Sequence, residues 1–264
     1  MQRVLVFSTM KVSIITSCYN REATIRESIE SVLYQVYDDI EYIIVDAKST
    51  DKTLDIINEY KDRITTIISE PDNGMYEGIN KGIKLATGDI IGLLHSDDVF
   101  YADDTISRIV NEIKRTKSQL VYGNGIFVKP SNMNHIMRDW ISGQYIPSKI
   151  TRGWLPLHTT VFAKRQVFDI VGFYDERYKI SADSDWLIRC LYKANLKVAY
   201  INDYIVRMRM GGASTSFRLT KAKWKEDLDL YHRHGLNPFF SLTCKVLSKI
   251  PQFVIAKLKH KFNS

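Results

Sequence analysis

The residues best placed to do chemistry close an apolar run, Gly88-Asp89-Ile90-Ile91-Gly92-Leu93-Leu94-His95-Ser96-Asp97-Asp98. A stretch of strand length ends in two adjacent carboxylates, with no Lys or Arg beside them. In an open α/β sheet, the carboxyl end of a strand is where ligands bind. Two neighbouring carboxylates there repel each other unless a cation stands between them and something anionic. Mg²⁺ suits the arrangement, because it takes one or two carboxylates and then substrate phosphates. The alternative is an Asp-rich turn leading into the next helix. A second cluster, Ser181-Ala182-Asp183-Ser184-Asp185, opens a helical pattern. One carboxylate at a helix N-terminus is accounted for by capping and the helix dipole. Two leave one to spare.

The elements that position these groups alternate. Val12 to Ser17, Glu41 to Val45, Ile64 to Ile68 and the run before Asp97 read as strands. Between them, Ile25, Ile29, Val32 and Leu33, then Leu54, Ile57 and Tyr60, recur at helical spacing. Further helices are predicted from about Met75 to Leu85 and through Ile106, Ile109, Val110 and Ile113. This order predicts a mostly parallel sheet covered on both faces. Strands are also expected at Leu120 to Tyr122, Thr159 to Phe162, Lys197 to Ile201 and Tyr204 to Met208. A short helix is expected over Arg165 to Val171, and a flexible turn at Gly211-Gly212-Ala213-Ser214. Residues 124–157, rich in Asn, Pro, Ser and Gly, read as an irregular loop or lid over a site. The dinucleotide fingerprint GxGxxG and the GxxxxGK[ST] phosphate loop are both absent.

The chain has 264 residues, 45% hydrophobic and 25% charged, which fits one large domain or one domain with an appendage. A formal net charge of +7 points to an anionic partner. Cys18, Cys190 and Cys244 lie far apart without a CxxC pair, which fits a reducing compartment. No apolar run is long enough to span a bilayer. Residues 1–9 read as a dispensable extension, since Met10 directly precedes the first strand. From Leu230 to Ser264 there is no Asp or Glu, while Arg233, Lys245, Lys249, Lys257, Lys259 and Lys261 are positive. Phe239, Leu242, Val246, Ile250, Phe253, Val254 and Leu258 fall near one helical face, with Pro251 as a kink. An apolar stripe flanked by lysines suits a helix lying on an anionic membrane surface; packing on the domain is the alternative.

Four runs in this order resemble the family 2 glycosyltransferases of the GT-A fold. They are Val12 to Arg21 (VSIITSCYNR); Ile44 to Asp51 (IVDAKSTD); Ser69 to Gly74 with Asn80-Lys81-Gly82, Ala86 to Asp89 and Asp97-Asp98; and His158 with Gly172 to Glu176 and Ala182 to Asp185. The resemblance covers about residues 10–215. It implies a GT-A nucleotide-diphospho-sugar transferase domain over residues 1–215, followed by a basic amphipathic helical tail over residues 216–264. By resemblance, Ser17, Tyr19, Asn20 and Arg21 bind the nucleotide-sugar, Asp46 hydrogen-bonds the uracil, and Asp97 meets the ribose. Asp98 is the metal ligand for Mg²⁺ or Mn²⁺, and Asp183 is the catalytic base. His158 and Asp185 are possible contacts to acceptor or diphosphate. Three positions depart from the family pattern: Ala47 for an Asp, Ile79 for an Arg, and His95 for an acid or Asn.

The function implied is inverting transfer of a hexosyl or N-acetylhexosaminyl group from a UDP-sugar. The acceptor expected is a polyprenyl-diphosphate-linked saccharide at the cytoplasmic face of the membrane, in surface-polysaccharide assembly. A non-catalytic nucleotide-sugar or glycan binder is the alternative, but such a protein would be expected to lose Asp98 or Asp183. A pyrophosphorylase would need a Gly-rich loop where Tyr19-Asn20-Arg21-Glu22 stands. Nucleic-acid binding is disfavoured because the basic charge gathers in the tail rather than on an aromatic-laced sheet.

Overall fold

The computed structural model describes residues 9–211, 220–248 and 251–252. It opens with strand β1 (Val12–Cys18), helix α1 (Ile25–Leu33), β2 (Ile40–Asp46), α2 (Thr53–Asn58), β3 (Thr66–Ser69), α3 (Met75–Leu85) and β4 (Ile90–Leu93). These strands pair in the order β3-β2-β1-β4, all parallel. The strand order reverses on either side of β1, so the carboxyl ends of β1, β2 and β4 flank the crevice where α/β sheets bind ligands.

Burial on both faces explains why these strands are almost wholly apolar. Ile15, Ile43 and Val45 point to the face covered by α3, while Ile14, Tyr42 and Ile44 point to the face covered by α1 and α2. Gly82 lets α3 lie directly on β1, because a Cβ there would collide with the Ile15 side chain. Gly74 starts α3 at φ 138°, a conformation that L side chains rarely adopt.

The second half adds β5 (Val99–Phe100), α4 (Thr105–Thr116), β6 (Leu120–Lys129), β7 (Asn132–Trp140), α5 (Pro147–Ile150) and a 3₁₀ turn (His158–Thr160). Then follow β8 (Phe162–Lys164), α6 (Gln166–Val171), α7 (Ala182–Ile188), β9 (Val198–Arg209), α8 (Thr220–Arg233) and α9 (Pro238–Leu247). Strand β8 runs antiparallel between β4 and β6, and β9 pairs parallel with β6 and antiparallel with β5.

Three expectations change. Residues 124–140 are not an irregular loop: they form the end of β6 and its antiparallel partner β7. The two strands expected at 197–208 are one, β9, because register shifts opposite Tyr122 and Asn124 absorb Asn202-Asp203 without a break. The beginning of the expected tail is part of the fold. Leu230, Tyr231 and Leu236 are buried in the core cluster on the α3 face, and Ser241 of α9 is buried with its hydroxyl donating to the Thr151 carbonyl. Lys245, expected to face lipid, instead meets both carboxylate oxygens of buried Asp227 at 3.0 Å. Among the described residues, no helix is long and apolar enough to cross a membrane. The expected extension at 1–8, the turn at 212–214 and the stripe residues Ile250, Phe253, Val254 and Leu258 lie outside the described residues.

Candidate active site

A cavity of about 580 Å³ opens at the carboxyl ends of β1 and β4, within the range of small-molecule sites. Ser17, Tyr19 and Arg21 enter it from the end of β1, and Asp97 and Asp98 from the end of β4. His158 and Asp183 also line it. Asn20 does not line it. Held at φ 51°, Asn20 accepts the Thr50 amide at 2.9 Å through its side-chain oxygen, and its own amide donates to the Ser49 hydroxyl. It braces the loop that carries Tyr19 and Arg21.

Asp46 is also placed differently from the expected uracil contact. It is fully buried and accepts hydrogen bonds from the Ser49 amide and hydroxyl and from the Ser69 hydroxyl, with the Cys18 thiol at 3.7 Å. Its lone pairs are taken up in tying β2 to the segments around it. Asp72, which had no role on sequence grounds, lies in the cavity wall with one oxygen accepting the Gly74 amide. Its other oxygen is buried and has no hydrogen-bond partner among the described residues. Burial pushes the Asp72 carboxyl up from its ordinary value. Gly78 makes room here, since a Cβ would sit 2.5 Å from the Ser17 Oγ.

Asp98 is 1% exposed. One of its oxygens accepts the Arg209 amide at 3.1 Å, and the other has no hydrogen-bond partner among the described residues. Burial, with the charge of Asp97 next to it, raises its pKa well above the carboxylate range. An orphaned, desolvated carboxylate oxygen facing a cavity fits a cation. Among the described residues no cluster of three acidic, His or Cys side chains stands ready to hold a metal. A single carboxylate suits an ion that keeps water and binds substrate phosphates.

Arg209, at the end of β9, holds this loop. Its guanidinium donates to the Asp97 carbonyl and pairs with Glu27 of α1, both at 2.6 Å. No local pattern of residues marks this role, because Arg209 and Asp98 are 111 residues apart and meet only through the β5–β9 pairing.

His158 Nδ1 donates to Asp183 Oδ2 at 3.0 Å, and His158 Nε2 meets His95 Nε2 at 2.7 Å. Only one of the two rings can carry an extra proton, and burial followed by the His158 charge lowers the His95 pKa to about 4. Burial would raise the Asp183 pKa, but His158, Lys223 and Lys245 outweigh it and hold the group ionised, well below the carboxylate range. Tyr76 approaches the other oxygen, Oδ1, at 3.3 Å while donating to the Ile180 carbonyl at 2.9 Å. Oδ1 is therefore the less committed of the two.

Asp185 stands apart. It is buried against Arg189 at 2.9 Å and His234 at 2.8 Å, on a different surface of α7 from the cavity. The expected acceptor or diphosphate contact is thus replaced by a structural one, and the carboxylate that looked spare is accounted for. Ile79 is buried in the core, so the family arginine there has no counterpart; Arg21, Lys179 and Arg209 are the Lys and Arg residues of the cavity wall.

Sheet order and cavity together describe a GT-A transferase architecture. The glycosyl transferase family 2 model matches residues 13–172. The chain is 31% identical over 209 residues to the PGL/p-HBAD biosynthesis glycosyltransferase of Mycobacterium bovis (strain BCG / Pasteur 1173P2), covering 77% of this chain and 79% of that one. It is 37% identical over 135 residues to the UDP-Glc:alpha-D-GlcNAc-diphosphoundecaprenol beta-1,3-glucosyltransferase WfaP of Escherichia coli, covering 47% of this chain and 53% of WfaP. The solved structure of S. aureus TarS 1-349 in complex with UDP-GlcNAc shares the fold, with a TM-score of 0.65 at 20% identity. That match covers 84% of this chain and 65% of the TarS chain. The chain belongs to glycosyltransferase family 2.

Proposed function

We propose that this glycosyltransferase moves a hexosyl or N-acetylhexosaminyl group from a UDP-sugar to a hydroxyl of a lipid-diphosphate-linked saccharide, with inversion, during surface-glycan assembly. The observation that carries this reading is one cavity lined by two unlike carboxylates. Asp98 presents an oxygen without a partner, and Asp183 is held ionised. TarS is known in complex with UDP-GlcNAc, and WfaP acts on a diphosphoundecaprenol-linked sugar; both favour this donor and acceptor class.

Asp98 is the residue that would hold Mg²⁺ or Mn²⁺, which neutralises charge on a departing diphosphate. The mannosyltransferase PcManGT of Pyrobaculum calidifontis, solved with GDP-Man and Mn²⁺, shares the fold with a TM-score of 0.65 at 15% identity, covering 98% of this chain and 77% of that one. Arg21 and Lys179 add positive charge beside the diphosphate, Asp97 meets the ribose, and Tyr19, 54% exposed at the rim, offers a face to the base. Asp72, not Asp46, is the carboxylate open to a base N–H. Asp183 Oδ1 receives the proton of the attacking hydroxyl, and His158 fixes Asp183 by bonding Oδ2. Because His158 also makes the carboxylate a weaker base, it contributes orientation at some cost in basicity.

Attachment to the membrane surface is proposed through α9, where Phe239 and Phe240 are 74% and 51% exposed. Calorimetric titration of UDP and a panel of UDP-sugars, with and without Mn²⁺, tests the donor assignment. Metal-dependent binding is expected in the wild type and weakened in Asp98→Ala; metal-independent binding of equal strength in both would contradict it.

A further inference from the structure

We infer that His95 is a positioning residue for proton removal: its Nε2 holds the His158 ring, and through that ring the Asp183 carboxylate, in the orientation that leaves Asp183 Oδ1 to the attacking hydroxyl. The inference rests on the transferase reading above, with Asp183 as the base.

An ionised carboxylate only accepts hydrogen bonds. The 3.0 Å contact between His158 Nδ1 and Asp183 Oδ2 therefore sets a hydrogen on Nδ1. The far nitrogen of the same ring, Nε2, lies 2.7 Å from His95 Nε2. An imidazole carries its hydrogen on either nitrogen, so His95 can donate to a bare Nε2 or accept from a protonated one. The rings meet edge to face, with centroids 4.9 Å apart and planes 61° apart. Both His158 nitrogens are thereby occupied, and neither is left for a diphosphate oxygen or an acceptor hydroxyl. His158 thus serves Asp183.

This contact supplies what Asp183 alone does not fix. The torsion that turns an imidazole is soft and roughly two-fold. Half a turn of His158 would offer Asp183 the carbon Cδ2 in place of Nδ1, and would set Cε1 against His95. The hydrogen bond between the rings disfavours that flip. With the His158 ring fixed, Oδ2 stays bound and Oδ1 stays turned away from it, near the Tyr76 hydroxyl at 3.3 Å. Small displacements of a catalytic group are costly in rate, so a brace of this kind bears directly on turnover.

His95 is itself held firmly enough to act as a brace. Its carbonyl accepts the Ser28 hydroxyl of α1 and the Asp98 amide, both at 3.0 Å. The next carbonyl, of Ser96, accepts the Thr24 hydroxyl at 2.9 Å. The loop that carries Asp97 and Asp98 is therefore pinned to the start of α1, and the His95 ring projects from it to the 3₁₀ turn that carries His158. One loop serves both carboxylates, Asp98 directly and Asp183 through two rings. His95 also lines the larger cavity, where it could meet the donor itself, and the test separates these two roles.

Transfer is measured from the UDP-sugar that binds best, with hexosyl and N-acetylhexosaminyl diphosphates bearing an undecyl chain as acceptors. His95→Ala should lower kcat by about tenfold to a hundredfold, with acceptor KM and calorimetric UDP affinity close to the wild type. His95→Gln places a nitrogen as many bonds from the backbone as His Nε2 and should recover most of kcat. His95→Asn, one bond shorter, should not. The decisive comparison is a double-mutant cycle: in a His158→Ala background, His95→Ala should cost no further kcat, because the ring it steadies is gone. The full cost in that background, or an unchanged kcat in His95→Ala alone, overturns the inference and leaves the transferase reading intact. Weakened UDP binding with an additive loss of kcat assigns His95 to the donor and also overturns it. Should His95→Ala fail to fold, equal kcat in the Gln and Asn variants overturns it instead. No transfer to either acceptor by the wild type overturns both readings.

Discussion

Asp46 and Asp72 use their carboxylate oxygens in different ways. Asp46 spends its oxygens on Ser49 and Ser69, while Asp72 keeps one buried oxygen without a partner in the cavity wall. Asp46→Asn should therefore lower stability by about 1–3 kcal/mol, the cost of disturbing buried hydrogen bonds, measured by urea unfolding. Asp72→Asn should instead weaken UDP binding about tenfold with little change in unfolding; the opposite pattern would restore the role to Asp46. His158 yields a separate prediction. It lowers the Asp183 pKa through its charge and its hydrogen bond, so His158→Gln should raise that pKa. The carboxylate would then be protonated at higher pH, and the acid limb of the kcat/KM profile should move upward. An unmoved acid limb would mean that His158 does not act on Asp183. The types of residue needed for this site were legible from Asp97-Asp98 and Asp183. Their partners were not, since Arg209, His95 and Tyr76 gain meaning only from contacts across the sheet.

At the scale of elements, Glu41 shows how the site's strands are held in register. It is buried at the start of β2, and it receives the Ser13 hydroxyl, the Thr87 amide and hydroxyl, and the Lys11 ammonium. Burial opposes ionisation, yet these bonds together lower its pKa from 4.5 to about 2. The folded-state value is depressed, so the stabilisation is present above about pH 4.5 and is lost as pH falls towards 2. Its size is about 3 kcal/mol. Denaturant unfolding of Glu41→Gln should show that deficit at pH 7, and the gap to the wild type should narrow towards pH 3. A constant gap would remove the ionised carboxylate from the explanation. The parallel half of the fold could be read from its period-2 and period-3.6 patterns, because each of those strands is buried on both faces. The β6–β7 hairpin could not: β7 has Asn132, Asn134 and His135 exposed, and its polarity resembles that of a loop. Its inward residues, Arg138 and Trp140, become informative only once paired with Phe127.

Across the whole molecule, the formal net charge is +7. The tail suggested by its lysines begins as two helices packed on the fold, with Lys245 committed to Asp227. The membrane attachment proposed above would run through the exposed phenylalanines of α9. Phe239→Ser with Phe240→Ser should reduce co-sedimentation with anionic vesicles several-fold while sparing UDP affinity; full retention would move the attachment elsewhere. The central claim is that donor binding and proton removal belong to different carboxylates of one cavity. The most direct measurement is single-turnover sugar transfer by Asp183→Asn, on enzyme shown by calorimetry to bind the donor as the wild type does. The account predicts transfer slowed by about 10²–10⁴-fold with donor affinity unchanged, and a wild-type transfer rate in that variant would contradict it.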